Sequence, residues 1–205
     1  MSNNMPEIAL ERLPVYLNYL RSLPEVGNTY ISSGAIAVAL NMGEVLVRKD
    51  LAYTSAVGKP KVGYVTKELI FAIEQFLLCN ELKNAILVGV GGLGKAILSY
   101  NGFEKFGINM VAGFDSAPEK IGTQICNKTV YSIDDLQKTV KQYNATLAVI
   151  TVPAKAAQSI ADKLIEAGIT KILSFAAVQI NVPPSVTVKY IDVAGSLAVL
   201  SAINN

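Results

Sequence analysis

Apolar positions near the start of the chain recur at helical spacing. Leu10, Leu13, Leu17 and Leu20 lie on one face of a helix expected from about Pro6 to Leu23. Tyr30-Ile31 is a short extended piece, and Ser32 or Ser33 is placed to cap a second helix through Ile36, Ala37 and Leu40. Asn41-Met42-Gly43 supplies a turn. A third helix then follows from Glu44 to about Tyr53, with Val47 and Leu51 inward and Arg48 and Lys49 outward. Val57 to Tyr64 reads as a hairpin wing turned by glycine and proline, and Thr66 is placed to cap a fourth helix through Leu69, Ile73 and Phe76. Two short helices joined by a tight turn, the second basic and followed by a wing, form a winged helix-turn-helix pattern.

The texture changes after residue 80. Extended apolar runs are expected at Ala85 to Gly89, Asn109 to Phe114, Thr146 to Val152, Lys171 to Phe175 and Val186 to Ile191. Helical segments separate them: one through Ala96, Ile97 and Tyr100, one capped by Ser132, and one over Ala154 to Glu166. Gly195 to Asn204 is expected as an apolar C-terminal helix. This alternation predicts an α/β unit built on a parallel, doubly wound sheet. The expected organisation is therefore a winged-helix domain over 1–80, a sheet domain over 81–193 and a terminal helix over 194–205.

Charge changes the picture locally rather than globally. The 205 residues carry 18 Lys and Arg against 16 Asp and Glu, a net of +2, so overall basicity does not argue for nucleic acid. Between Val45 and Lys67, however, Arg48, Lys49, Lys59, Lys61 and Lys67 face Asp50 alone, a local +4. Any three-helix bundle exposes charged faces, but here the basic helix and basic wing adjoin with almost no acid between them. A helix in the major groove reads base edges, while a wing reaches phosphates or the minor groove.

Histidine is absent, which removes the commonest general acid or base and the commonest metal ligand. Cys79 and Cys126 are too few and too far apart for a disulfide scaffold or zinc site, and read as reduced thiols of a cytoplasmic protein. Met1 to Glu7 lacks the charged start and apolar core of a signal peptide. The uncharged run Ile172 to Val188 contains Pro183 and Pro184 and is not expected to span a bilayer.

The sharpest motif is Gly89-Val90-Gly91-Gly92-Leu93-Gly94, which follows an expected strand and opens an expected helix. Gly89 suits the tight turn, Gly91 the approach of a pyrophosphate, and Gly94 close helix–strand packing. The helix start offers free N–H groups and a dipole that favours an anion. Asp115 ends the next strand 21 residues after Gly94, where a carboxylate accepts ribose hydroxyls and repels a 2′-phosphate. The pattern therefore favours NAD(H) over NADP(H), with a ligand-free glycine turn as the alternative. Hydride transfer to a carbonyl needs a proton donor. No tyrosine has a lysine four residues on, and a cofactor domain over 81–193 is expected to leave little room for a substrate pocket. Binding without chemistry fits better.

Five blocks carry a family resemblance: Val47-Arg48-Lys49-Asp50-Leu51-Ala52-Tyr53, the wing Gly58 to Tyr64, Val88 to Gly94, Phe114 to Gly122, and Thr151-Val152-Pro153-Ala154 with Ala156-Ala157-Gln158. Through them the sequence resembles the Rex family of redox-sensing transcriptional repressors over almost its whole length. The resemblance implies a homodimer on palindromic double-stranded operator DNA, a C-terminal helix crossing into the partner subunit, and NADH/NAD⁺ as effector. In that family NADH releases the DNA and NAD⁺ permits binding. The resemblance places Arg48, Lys49, Lys59, Lys61 and Tyr53 at DNA. It places Gly89, Val90, Gly91, Gly92, Leu93, Gly94, Asp115, Val152 and Pro153 at the cofactor, and Tyr100 and Asp192 in coupling cofactor state to the DNA-binding domain.

Several positions depart from the family pattern. Asn18 stands where the family commonly has an arginine that partners the acid matching Asp192, so that ionic latch is not expected to form as usual. Gly92 replaces a polar or basic residue, Leu46 a glutamine, and Ser174 and Ala177 an asparagine and a proline. Two other readings follow: a Rex-like DNA-binding protein that has lost its redox response, and a coenzyme A- or nucleotide-binding enzyme subunit.

Overall fold

Proline decides how the first leucine repeat folds. In a computed structural model, which describes residues 5–24 and 29–203, the expected single helix is two: α1 (Glu7–Leu10) and α2 (Leu13–Arg21), with Pro14 in the first turn of α2. A proline ring there is tolerated at a helix start, but in one continuous helix it would clash with the carbonyl of Leu10. Leu13, Tyr16, Leu17 and Leu20 are fully buried, whereas Leu10 is partly exposed. Met1 to Asn4, part of the segment read for a leader, lie outside the described residues.

Ser32 caps α3 (Ser33–Ala39), its Oγ accepting the Ala35 amide at 3.0 Å. Asn41 takes the left-handed turn, and α4 (Glu44–Leu51) follows with Val47 and Leu51 buried and Arg48 and Lys49 exposed. The wing turns back on itself as expected, Lys59 and Gly63 exchanging backbone hydrogen bonds of 2.7 and 2.9 Å. That antiparallel bridge is the one pair its arms share. The strand that leaves it, β2 (Tyr64–Val65), pairs antiparallel with the distant β1 (Tyr30–Ile31). Thr66 does not cap α5 (Thr66–Phe76): it is the buried first residue, and its hydroxyl donates to the Thr29 carbonyl at 2.9 Å. These elements belong to one unit, Met1–Glu81.

The second unit, Leu82–Asn205, is built on a seven-stranded sheet. Its elements run β3 (Lys83–Val88), α6 (Gly92–Ser99), β4 (Ile108–Asp115), β5 (Gln124–Ile125), β6 (Lys128–Ser132), α7 (Leu136–Tyr143), β7 (Leu147–Ile150), α8 (Ala154–Glu166), β8 (Lys171–Ser174), β9 (Thr187–Tyr190) and α9 (Val193–Ala202). The spatial order is β5-β6-β4-β3-β7-β8-β9, parallel except for β5. The six parallel strands, numbered as they occur in the chain, thus lie 3-2-1-4-5-6, the doubly wound Rossmann arrangement. The β5–β6 hairpin was not expected; Cys126 and Asn127 turn it with φ of 46° and 64°, the conformation of a tight two-residue loop.

Alternation along β3 sends Ile86 and Val88 to one side and Ala85 and Leu87 to the other. The first side is covered by α7 and α8 through Leu136, Val140, Ile160 and Leu164. The second is covered in part by Leu98 of α6. The final helix, expected from Gly195, begins two residues earlier because Asp192 caps it. None of its residues is buried, and Val193, Leu197, Val199, Leu200 and Ile203 are all exposed. Asn204, the expected end of that helix, lies outside the described residues. Among the described residues no helix is long and apolar enough to cross a membrane.

Candidate functional site

The strand order creates a crevice between the carboxyl ends of β3 and β7, where the winding of the sheet reverses and ligands of such folds bind. A cavity of about 410 Å³ sits there, lined among others by Gly89, Gly91, Asp115, Lys120, Val152 and Pro153. Thr151 ties the two strand ends together: its hydroxyl donates to the Gly89 carbonyl at 2.7 Å. Gly89 has φ of +102°, and a Cβ there would lie 2.8 Å from the Thr151 backbone. A Cβ on Gly94 would run into the Gly89 carbonyl oxygen, so the close packing expected of Gly94 holds. Gly91 and Gly92 instead face open space, the room a pyrophosphate needs against the backbone. Gly91 stands at the N-cap of α6 and offers no side-chain cap, leaving the first-turn amides available to an anion. Leu93 is exposed on that turn, and Val90 is buried beneath it.

Asp115 closes the crevice at the end of β4. Its Oδ2 accepts the Val90 amide at 2.8 Å and the Lys120 ammonium at 2.9 Å, and its Oδ1 accepts the Ala117 amide at 3.0 Å. Burial disfavours the charged carboxylate, but the Ala117 amide, Lys120 and the Val90 amide outweigh it and hold its pKa below the usual aspartate value. A carboxylate has roughly four acceptor positions, and three are used, so one remains for a further donor. Sequence reasoning assigned no role to Thr151 or Lys120. The signal for Lys120 was available, since it stands five residues after Asp115 in a turn that folds back on it.

In the first unit, Arg48 and Lys49 project from α4 and Lys59 and Lys61 from the wing, all exposed. Tyr53, just past the end of α4, is also exposed. Lys59 Nζ donates to the Tyr30 hydroxyl at 2.9 Å and lies 5.2 Å from that ring's centroid. Tyr30 thus joins the basic wing, a neighbour that nothing in the local sequence announced.

The two coupling candidates occupy other places. Tyr100 ends α6, exposed, with its ring edge-on to Phe103 at 5.2 Å. Asp192 borders a second cavity of about 280 Å³ with Ala176, Ala177, Gln179 and Tyr190. Within one chain its Oδ1 accepts the Gly195 amide at 2.8 Å. Asn18 is exposed on α2, and Ser174 is buried, its Oγ accepting the Ala176 amide at 3.2 Å.

A winged-helix unit followed by a dinucleotide-type Rossmann unit defines a class of DNA-binding regulators that carry a nucleotide site. Residues 4–52 match the family described as putative DNA-binding protein N-terminus, and residues 80–178 match the CoA binding domain. The redox-sensing transcriptional repressor Rex of Treponema denticola is 41% identical over 96% of this chain and 94% of its own length. The Rex of Carboxydothermus hydrogenoformans is 40% identical over 96% and 95%. A crystal structure of RSP with β-NAD⁺ and operator DNA matches at a TM-score of 0.89 and 28% identity, over 96% of this chain and 91% of that one. RSP with β-NADH matches at 0.86, over 97% and 93%. The chain belongs to the Rex family of redox-sensing transcriptional repressors. Its curated relatives are named as repressors, so the match to the CoA binding domain describes the Rossmann unit and does not favour an enzyme subunit.

Proposed function

We propose that this chain is a transcriptional repressor that binds operator DNA and is governed by the NADH/NAD⁺ ratio. One observation carries the reading. A chain alike over nearly its whole length to redox-sensing repressors keeps both an exposed basic helix with its wing and a glycine crevice closed by an ionised Asp115. Arg48 and Lys49 reach base edges and phosphates from the recognition helix, with Tyr53 beside them, while Lys59 and Lys61 hold the flanking backbone. Gly91, Gly92 and Leu93 at the start of α6 take the diphosphate of NAD(H), and Asp115 takes the adenosine ribose. Val90 and Gly94 shape that turn from beneath, and Val152 and Pro153 form the opposite wall.

The chain acts as a homodimer on a palindromic site. Its winged-helix domain spans 1–80 and its cofactor domain 81–193. The exposed apolar helix within 194–205 crosses to the partner, which covers an apolar surface that one chain leaves in water. Tyr100 and Asp192 couple cofactor state to DNA binding. The reading makes it a cytoplasmic protein, since NADH and operator DNA are both met there.

Only an effector that distinguishes two states shifts the balance between them. An operator shift assay with NADH and NAD⁺ titrated separately therefore tests the reading. NADH should release the duplex where NAD⁺ does not. Operator binding indifferent to NADH would remove the sensor and leave the repressor.

A further inference from the structure

The acid within the recognition helix is sealed into a three-residue cluster that the DNA-binding reading does not use. Arg12, at the start of α2, donates from Nε to Asp50 Oδ2 at 2.6 Å and from its terminal nitrogen to Oδ1 at 2.7 Å. Tyr16, one turn further along α2, donates its hydroxyl to Oδ2 at 2.6 Å. The Asp50 side chain is 3% exposed and that of Arg12 is 18% exposed. Burial and the Asp50 hydrogen bond push the Tyr16 phenol up to about 12.

Asp50 directly follows Arg48 and Lys49 on a helix of only eight residues. Its other anchors, Val47 and Leu51, make apolar contacts, which favour burial but specify no angle. Buried ion pairs are weak stabilisers, since apolar residues of similar shape often do as well, but they fix direction. Direction is what base reading needs. A rotation of α4 by about 10° carries a guanidinium about 9 Å from the helix axis through about 1.5 Å, enough to break a bidentate contact.

We propose that Arg12 and Tyr16 are positioning residues for operator recognition, clamping Asp50 so that α4 presents Arg48 and Lys49 at one angle to the base edges. The proposal rests on the repressor reading above and adds residues that touch no DNA themselves. Two expectations separate it from a stabilising role. Unfolded molecules bind no duplex, so lost stability lowers affinity for every sequence alike and leaves the ratio between sequences fixed. Lost orientation lowers affinity for the preferred site alone.

The test uses the full chain, a duplex that it selects from a random pool, and a scrambled duplex of the same composition, titrated at one salt concentration. Arg12→Lys keeps the charge and loses the planar fork. It should cut the preference for the selected duplex by about tenfold, the range of one base contact, with affinity for the scrambled duplex unchanged. Tyr16→Phe removes one hydroxyl, keeps the ring in the core, and should cut the preference by about threefold. If Arg12→Lys does not fold, Tyr16→Phe alone decides. An unchanged ratio in the folded variants, or an equal loss on both duplexes, overturns the clamp. Failure of the unaltered chain to select any duplex would instead overturn the repressor reading.

Discussion

Each unit of this protein carries a buried aspartate, and the two are held in opposite ways. Asp50 lies at the heart of the DNA-binding unit, taken up by the Arg12 fork and the Tyr16 hydroxyl. Asp115 lies at the mouth of the nucleotide crevice. It is held by two backbone amides and by Lys120, whose side chain is 30% exposed, and it borders a cavity. A carboxylate sealed between side chains can only fix the geometry of its neighbours. A carboxylate pinned by amides at a cavity edge keeps its charge and retains an acceptor position for a ligand. In the proposed function the first acts through where it puts Arg48 and Lys49, the second through what it can accept.

Substitutions should break that contrast unequally. Asp50→Ala leaves the Arg12 guanidinium without its partner in a largely buried position, and should cost about 3–5 kcal/mol of stability in the DNA-binding unit, read by denaturant unfolding. Arg48→Ala should cost about 1–3 kcal/mol of discrimination between operator and scrambled DNA. An equal loss on all sequences would reassign Arg48 to phosphate. Asp115→Ala should weaken NADH about tenfold in calorimetric titration, the worth of hydrogen bonds to a charged group, while DNA binding without cofactor is unchanged. Unaltered NADH affinity would remove Asp115 from the ribose site.

The same carboxylate sharpens the comparison by pH. Because its pKa is lowered on folding, its stabilising contribution is complete above the unfolded-state value of about 3.9, and fades as pH falls through the lower folded-state value. Asp115→Asn should therefore flatten part of the acid limb of a stability–pH curve. The smallest effect is expected at the wing. Lys59→Ala should reduce the slope of log affinity against log salt by about 0.9, one phosphate contact, with sequence preference kept.

Local chemistry made much of this molecule legible. The glycine motif, its strand and the acid ending the next strand fall where expected because turn geometry and helix dipoles act over a few residues. The recognition helix was equally visible, since Val47 and Leu51 repeat at helical spacing with cations between them. The first helix was misread where periodicity was trusted over Pro14, a residue that interrupts the backbone without disturbing the apolar pattern. The wing's turn was legible, but not the strand pairing beyond it. Glycine and proline mark a turn, yet they do not say which strand its arm will join. The β5–β6 hairpin was missed because Cys126-Asn127 lacks the glycine that usually announces such a turn.

The sequence by itself determined the elements, the glycine turn and the charge of each surface, since these follow from the side chains and backbone limits of neighbouring residues. Only the tertiary structure decided which distant groups meet. Thr151 reaches Gly89 across 62 residues because β7 docks beside β3, and Arg12 reaches Asp50 across 38 because the fold of the first unit brings the start of α2 within side-chain reach of the recognition helix. Such meetings depend on strand order and helix packing, which bury apolar faces whatever polar groups they happen to carry, and so leave no periodic trace along the chain.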